Sequence, residues 1–247
     1  MADTALLQLQ ALGISFGGLR AVHDVSLALP QGTLGALIGP NGAGKTTLFA
    51  LMSGFLKPDA GRVFFAGRDI TGRAPQLNAR DGLARTFQVV QPFAAQTVRE
   101  NIAVGAHLHL KSRRAALAAA DGVAAELGLA PQLDKPAADL TVAGRKRLEL
   151  ARALATKPRL LLLDEVLAGL NPQEIGEMIP VVQRIAAGGV TVLMIEHVMQ
   201  AVMNLATTVW VLAQGQLIAH GTPAEVTSDA RVIEAYLGPG AAARLAR

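Results

Sequence analysis

The stretch GPNGAGKT, residues 39–46, constrains the fold of this chain more than any other. It has the form G-x-x-x-x-G-K-[ST], follows the short apolar segment GALIG, and precedes apolar residues at helical spacing between Leu48 and Phe55. Its glycines let the backbone curl with N–H groups pointing inward, and the following helix adds the positive end of its dipole. The sequence therefore predicts a loop between a strand and a helix that binds phosphate groups.

Each part of this predicted loop has a role in holding a nucleotide. We expect the Lys45 ammonium to reach the β- and γ-phosphates and the Thr46 hydroxyl to ligate Mg²⁺. The alternative is a glycine-rich turn that binds nothing, but the flanking strand and helix are the context that the motif requires. The predicted phosphate-binding residues are Gly39, Pro40, Asn41, Gly42, Ala43, Gly44, Lys45, Thr46 and Thr47.

A second element, RLLLLDEVLAGLNP at residues 159–172, indicates a buried strand that ends in Asp164 and Glu165. An enzyme that hydrolyses a nucleotide on such a loop needs an acid at a strand end to hold Mg²⁺ through water, and Asp164 suits this role. Glu165 can take a proton from an attacking water molecule. Many strands end in acids, so this element gains its meaning from the phosphate-binding loop.

Two isolated polar residues are weaker candidates for the same site. His197 follows an apolar run that predicts a strand, and its imidazole can hydrogen-bond a γ-phosphate, although a lone histidine there is more often a surface or capping residue. Gln88, in ARTFQVVQPF, carries a neutral amide that can touch Mg²⁺ or the attacking water. Neither residue predicts a function alone.

The rest of the chain alternates between strand and helix patterns. Residues 25–29 alternate apolar with polar or small residues before a PQG turn, as in a hairpin strand. The pattern is helical and rich in alanine from about Thr97 to Ala155, and strands are predicted again at 160–164 and 190–195. A last hairpin is expected to turn at Gln214–Gly215. This order predicts an α/β core with an inserted helical region.

The composition limits the compartment and the partners. The chain has no cysteine, so disulfides and thiolate metal sites are excluded, and it has no apolar run long enough to predict a membrane span. The first residues, MADTALLQLQ, lack the features of a secretory signal. The net charge of +4 comes from scattered basic residues without interleaved aromatic residues, so no nucleic-acid partner is expected. Hydrophobic residues make up 51% of the chain, which suggests that a partner covers part of its surface.

Taken together, these motifs resemble the ATP-binding subunits of ABC transporters, and the resemblance covers essentially the whole chain. Within that family, FGGLRAVHDVSL, LIGPNGAGKTTLF, ARTFQVVQPF, DEVLAGLNP and GTPAEV resemble the ATPases of branched-chain, or hydrophobic, amino acid importers. The elements follow the family's order: an aromatic residue (Phe16), the loop at 39–47, Gln88, a signature helix, Leu160–Glu165, Ala168–Asn171 and His197.

The resemblance implies a role for each matching residue. Phe16 would stack on adenine, where tyrosine is more usual, and stacking needs only an aromatic face. Gln88 and Asp164 would complete the Mg²⁺ shell begun by Thr46. Glu165 would be the general base and His197 the γ-phosphate contact, with Lys45 and Gln88 also serving the reaction. Gln88 and the segment from about Val89 to Glu100 would face the membrane subunit.

The stretch LTVAG, residues 140–144, occupies the place of the family's signature, which is typically LSGGQ. In the family this element opens a helix that contacts the γ-phosphate of ATP held by a second chain. Thr141 keeps the hydroxyl, Ala143 and Gly144 stay small, and the helix N-terminus still offers N–H groups. Val142 must point away. The alternative is that this stretch contacts no nucleotide and that Arg145 and Glu149 form a surface ion pair.

The resemblance also implies an architecture and an assembly. The fold would be α/β, a single domain with a P-loop NTPase core. The core and an N-terminal antiparallel β subdomain would together take up about residues 1–90 and 157–247, and an inserted helical subdomain would take up about residues 91–156. ATP and Mg²⁺ would be the cofactors. The partners would be a second ATPase chain, permease subunits and, indirectly, a periplasmic or extracellular binding protein. The altered signature favours a second ATPase chain whose sequence differs from this one over a second copy of this chain. The chain would lie at the cytoplasmic face of the inner membrane.

Three other functions are compatible with the sequence. The ATPase of lipopolysaccharide export, a lipid exporter, is a related look-alike that keeps the transport class. A nucleotide-binding regulatory subunit without turnover would tolerate a degraded signature, but it would not need Glu165 and His197. An ABC protein acting on DNA or ribosomes usually carries a coiled-coil insertion or a second cassette, and neither is present in this sequence.

Overall fold

The computed structural model describes residues 5–88 and 90–245, which form two compact units. The first unit runs up to Pro75 and resumes at Thr191, and the second is Gln76–Val190. The strands are β1 (Ala5–Phe16), β2 (Leu19–Pro30), β3 (Leu34–Ile38), β4 (Ala60–Phe65), β5 (Arg68–Asp69), β6 (Leu83–Arg85), β7 (Leu160–Asp164), β8 (Thr191–Ile195), β9 (Thr208–Ala213) and β10 (Gln216–Gly221). The helices are α1 (Lys45–Ser53), α2 (Pro75–Arg80), α3 (Val98–Ala106), α4 (Arg113–Glu126), α5 (Val142–Leu154), α6 (Pro172–Ala187), α7 (Met199–Leu205), α8 (Pro223–Ser228), α9 (Ala230–Leu237) and α10 (Ala241–Leu245). None of the helices in these described residues is both long enough and apolar enough to cross a bilayer.

The first unit contains an antiparallel sheet with the strand order β2-β1-β4-β5. Residues 25–29 lie in a hairpin strand, as predicted, but the hairpin turn precedes them. Strand β2 pairs with β1 across the glycine turn at Gly17–Gly18, whose φ angles of 51° and 88° suit glycine. The PQG turn leads instead from β2 into β3. Strand β1 was not predicted from the sequence, because a register shift next to Ala11 interrupts its alternation of buried and exposed residues.

A second set of strands in this unit places β3 between β8 and β9, parallel to both, with β10 antiparallel to β9. All five residues of β3 are buried, as expected for a parallel strand covered on both faces. A Cβ at Gly35 would lie 2.6 Å from the Trp210 ring, so glycine fits here because of close packing. The predicted hairpin at Gln214–Gly215 is confirmed, with φ angles of 49° and 76°. Helix α1 ends at Ser53, short of Phe55, because Gly54 is left-handed.

The second unit contains the parallel strand pair β6–β7 and the helices α3 to α6. The predicted helical region is confirmed as α3, α4 and α5, with two 3₁₀ turns, Ala130–Gln132 and Ala137–Asp139, after Gly128. Helix α4 buries Ala116, Ala120 and Ala124, which recur every four residues on one face. Small side chains let α4 approach α3 closely, which explains why an alanine-rich segment forms a packed helix.

Two helical glycines of this unit give a matched test of packing. A Cβ at Gly105 in α3 would lie 2.2 Å from the Arg152 carbonyl oxygen, whereas a Cβ at Gly122 in α4 would meet nothing within 4 Å. Gly105→Ala is therefore expected to destabilise the fold by about 1–3 kcal/mol. Gly122→Ala is expected to stabilise it by about 0.5–1 kcal/mol through helix propensity. Urea unfolding of both variants checks this, and equal effects would contradict the described packing of α3 on α5.

Candidate functional site

The loop predicted to bind phosphate lies between β3 and α1, as the motif requires. Its glycines at 39, 42 and 44 have φ angles of 153°, 78° and 100°. A Cβ at Gly39 would lie 2.0 Å from the Leu212 carbonyl oxygen, and one at Gly44 would lie 2.3 Å from the Ala21 carbonyl oxygen. A Cβ at Gly42 would meet no atom within 4 Å, so only the left-handed backbone conformation favours glycine at this position.

Lys45 is the first residue of α1, and its side chain is buried against the loop. Its Nζ donates hydrogen bonds to the carbonyl oxygens of Gly39 at 2.7 Å and Pro40 at 3.1 Å. The ammonium group therefore lies along the inside of the loop, where a phosphate would approach. Helix α1 begins without a side-chain cap and without an acidic residue in its first turn, which leaves N–H groups for an anion. Thr46 is exposed beside them.

The two kinds of loop glycine predict different costs of substitution. Gly39→Ala would place a methyl group against the backbone of β9, which no rotamer change can relieve, while Gly42→Ala would add only a strained φ. We expect about 1–2 kcal/mol of destabilisation for Gly42→Ala and at least about 2 kcal/mol more for Gly39→Ala. Chemical denaturation measures both, and a smaller loss for Gly39→Ala than for Gly42→Ala would contradict this loop geometry.

His197 and Phe16 lie in the same unit as the phosphate-binding loop. In the parallel pair β3–β8, Leu37 is opposite Ile195, so the loop and His197 follow neighbouring strands at the same edge of the sheet. Ligands of parallel α/β sheets commonly bind at this edge. His197 is exposed just beyond it. Phe16 ends β1 with 48% of its surface exposed, so its ring can be reached by a ligand.

Asp164 is the last residue of β7 and is almost completely buried. Its Oδ2 accepts a hydrogen bond from Nη2 of Arg85, at the end of the neighbouring strand β6, over 2.8 Å. Its main-chain N–H donates to the Thr86 hydroxyl at 3.0 Å. Burial raises the pKa of the Asp164 carboxyl, and the hydrogen bond and charge of Arg85 oppose that rise. Arg85, which was not predicted as a site residue from the sequence, thus offsets part of the effect of burial on the pKa of Asp164.

The Asp164 side chain also satisfies a requirement of a Mg²⁺ site. Its second oxygen, Oδ1, is buried and has no hydrogen-bond partner among the residues that the structure describes. A buried carboxylate oxygen without a donor is costly unless something else occupies its lone pairs. A Mg²⁺-bound water molecule supplies such a donor, and carboxylate with water is a common coordination environment for this ion. The Asp164 carboxylate therefore fits the chemistry of a Mg²⁺ site.

Glu165 follows Asp164 in a strained conformation. Its φ angle is 50°, in the left-handed region where a non-glycine residue is uncommon. Such strain costs of order 1–3 kcal/mol and occurs preferentially at functional sites. The Gln88 Nε2 donates a hydrogen bond to Glu165 Oε2 over 2.8 Å. The two predicted site residues are thus in direct contact, and the amide orients the carboxylate. Val89, which follows Gln88, lies outside the described residues.

LTVAG adopts a capped helix start. Thr141 is the N-cap of α5, and its hydroxyl accepts a hydrogen bond from the Gly144 N–H at 3.1 Å. Val142, the first residue of α5, has 55% of its surface exposed. The alternative of an Arg145–Glu149 ion pair is wrong. Arg145 donates to the Ala138 carbonyl oxygen at 2.8 Å, while Glu149 is buried and accepts from the Phe87 N–H.

Comparison with known proteins shows the family of the chain. A family model described as ABC transporter matches residues 22–168, and one described as branched-chain amino acid ATP-binding cassette transporter matches residues 216–239. The high-affinity branched-chain amino acid transport ATP-binding protein LivG of Salmonella typhimurium is 40% identical, with 94% of this chain and 98% of the relative covered. Its counterpart BraF of Pseudomonas aeruginosa is 37% identical over the same shares. A crystal structure of the ADP conformation of an ABC transporter cassette matches with a TM-score of 0.86 and 33% identity, covering 95% of this chain and 99% of that one.

The chain is therefore an ATP-binding protein with the fold of the transport ATPases, and it belongs to the ABC transporter family. Within that family it is similar to the ATP-binding proteins of branched-chain amino acid transport, which agrees with the resemblance inferred from its motifs.

Proposed function

We propose that this chain is the ATP-hydrolysing subunit of an importer of branched-chain or other hydrophobic amino acids. The observation that carries the proposal is Glu165, which keeps a strained φ of 50° while Gln88 holds its carboxylate at 2.8 Å. A chain that only bound nucleotide would not need a strained and oriented acid beside the buried Asp164. The names of its relatives supply the transported class.

The residues divide the work of hydrolysis. The loop N–H groups and the Lys45 ammonium bind the phosphates of ATP and stabilise the charge that develops on the γ-phosphate. Phe16 stacks on the adenine ring, and His197 donates a hydrogen bond to the γ-phosphate. Thr46, Gln88 and Asp164 are the residues that would hold Mg²⁺, and this ion would neutralise phosphate charge. Glu165 accepts a proton from the attacking water molecule, and Gln88 keeps its carboxylate in place for this transfer.

A second ATPase chain completes the site in this proposal. The N-terminus of α5 presents N–H groups beside Thr141, Ala143 and Gly144, and these would contact the γ-phosphate of ATP held on the partner's loop. Closure of the two chains around ATP would assemble the catalytic groups, and hydrolysis would let the two chains open again. Permease subunits bound at the cytoplasmic face of the inner membrane would convert these steps into alternating access for a solute delivered by a binding protein.

The test is uptake into vesicles that contain the permease complex purified with this chain. ATP enclosed with the ATPase side should drive accumulation of labelled leucine or isoleucine, and the Glu165→Gln complex should show none. Unlabelled valine should compete, whereas glutamate should not. Hydrolysis without any uptake of hydrophobic amino acids would refute the proposed substrate class. Copurification with a lipid-exporting permease would instead support the lipopolysaccharide-export alternative.

A further inference from the structure

The turn of the β9–β10 hairpin is buried, although hairpin turns usually lie at the surface. Gln214 and Gly215 form this turn, with φ angles of 49° and 76°. Ala66 and Gly67 form the turn between β4 and β5 with almost the same angles, 50° and 76°. Gly67 is exposed, whereas Gly215 is buried. Because the two turns share one backbone conformation, the difference between them lies in what Gly215 contacts.

Gly215 bonds the phosphate-binding loop. Its N–H donates a hydrogen bond to the Ala43 carbonyl oxygen at 3.0 Å, directly before Gly44 and Lys45 in the chain. A loop that turns N–H groups inward, toward a phosphate, leaves carbonyl groups that must find donors elsewhere. The hairpin turn supplies such a donor. It therefore holds the loop by a group that a phosphate does not use.

The same glycine bonds strand β2. Its carbonyl oxygen accepts a hydrogen bond from the His23 N–H at 2.8 Å. A Cβ at Gly215 would lie 2.9 Å from the Ala21 carbonyl oxygen, and a Cβ at Gly44 of the loop would lie 2.3 Å from the same oxygen. Next to the turn, Nε2 of Gln216 lies 2.9 Å from Nδ1 of His23. The loop, the turn and β2 thus meet at one point, where a side chain has no room.

Strand β2 also leads to the residue proposed to contact adenine. Phe16 ends β1 and is opposite Leu19, the first residue of β2. Ala21 and His23, which adjoin Gly215, follow shortly after Leu19 in the same strand. ATP has to reach the Phe16 ring and the phosphate-binding loop at once. A ligand that joins two contacts gains from both only where the spacing of the two sites matches its own length.

We propose that the Gln214–Gly215 turn is a brace that fixes the spacing between the phosphate-binding loop and strand β2. Gly215 is then a positioning residue for ATP, which acts through Ala43 and β2 and needs no contact with the nucleotide. That this spacing sets the distance from adenine to the phosphates rests on the proposed function, which places adenine on Phe16. The bonds of the brace itself do not depend on that assignment.

Gly215→Ala tests the brace, with Gly67→Ala as the matched control. Both substitutions add a methyl group at a φ of 76°, so the backbone strain is the same. At Gly215 the methyl group meets the Ala21 carbonyl oxygen, whereas at Gly67 it meets no atom of the described residues within 4 Å. The affinity for Mg²⁺–ATP is expected to fall at least about tenfold in Gly215→Ala and less than about twofold in Gly67→Ala. Displacement of a fluorescent ATP analogue from the full chain measures this, once urea unfolding has shown that both variants are folded.

Inorganic tripolyphosphate separates positioning from stability. It can occupy the phosphate-binding loop but has no base, so its affinity in the presence of Mg²⁺ is expected to fall less than about threefold in Gly215→Ala. Equal losses for ATP and tripolyphosphate would overturn the brace, because they would mark damage to the loop alone. An unchanged affinity for ATP in a folded Gly215→Ala chain would overturn it as well.

Gln216→Ala decides the matter if Gly215→Ala does not fold. Gln216 is exposed, and its replacement removes the side-chain contact with His23 without adding backbone strain. The affinity for Mg²⁺–ATP is then expected to fall at least about threefold, with that for tripolyphosphate unchanged. Equal effects on the two ligands, or no effect on either, would contradict the brace.

Phe16→Ala distinguishes the brace from the proposed function. In the parent chain this substitution is expected to weaken ATP binding at least about fivefold, the loss of one base-stacking contact. In a Gly215→Ala chain it is expected to cost less than about twofold, because the ring is no longer at the right distance from the bound phosphates. An unchanged ATP affinity in Phe16→Ala would refute the role given to Phe16, while a loss in Gly215→Ala that is specific to ATP would still support the brace.

Discussion

Replacement of Glu165 by Gln is expected to lower the rate of phosphate release by about 10²–10⁴-fold, the contribution typical of a positioned general base. An amide has nearly the shape of the carboxylate and keeps an oxygen that can accept the hydrogen bond from Gln88 Nε2. The substitution therefore removes the proton acceptor while leaving the contact in place. Single-turnover phosphate release, measured in the presence of the permease, reports the chemical step directly.

The control for this variant is Glu177→Gln. Glu177 is an exposed acid of the same unit that pairs with Arg147, so its loss is expected to change the rate by less than about twofold. ATP binding by the Glu165→Gln variant should be close to that of the parent, because this acid contributes to the reaction rather than to affinity. Equal phosphate release by the parent and by Glu165→Gln would show that another group is the base.

Lys45→Met is expected to weaken ATP binding by about 10–100-fold, which corresponds to the loss of one or two charge-assisted hydrogen bonds. The buried ammonium group lies on the carbonyl oxygens of Gly39 and Pro40, where methionine offers similar length but no charge. Turnover at saturating ATP should fall as well, because the same charge stabilises the transferring phosphoryl group. Equilibrium titration with a fluorescent ATP analogue and steady-state hydrolysis measure the two effects.

Lys111→Met is a suitable control, since Lys111 is exposed and lies outside the described helices and strands. The Lys45→Met variant must also be shown to be folded by its urea midpoint, because the lysine bonds the loop backbone. A folded Lys45→Met variant that binds ATP as tightly as the parent would contradict the role given to the loop.

The parts of the fold that local pattern specifies were predictable from the sequence. The strand, loop and helix around residues 39–46 were predicted from glycine spacing and apolar periodicity, and the structure confirms these elements. The same holds for the strand ending at Asp164 and for the hairpin at Gln214–Gly215, whose φ angles are those of a tight turn. Strand β1 was missed because a register shift breaks the alternation on which strand prediction depends.

The polar contacts of the site were not predictable in the same way. Arg85 and Asp164 are 79 residues apart in the sequence, and Phe87 and Glu149 are 62 apart. Their pairing follows from the register of β6 on β7 and from the packing of α5, which no local pattern encodes. A charged residue in a helix is usually exposed, so the sequence left a surface ion pair between Arg145 and Glu149 as an alternative, and the structure shows instead that Glu149 is buried.

The roles of the site residues in catalysis stay predictions. The proposed function depends above all on the closure of two ATPase chains around ATP. Light scattering of Glu165→Gln, with and without Mg²⁺–ATP, tests this most directly, because blocked hydrolysis should trap the closed pair. We expect the solution mass to double only with Mg²⁺–ATP, or a pair to form under the same condition with a second ATPase chain of the same transporter. A monomer that binds Mg²⁺–ATP but pairs neither with itself nor with that chain would contradict it.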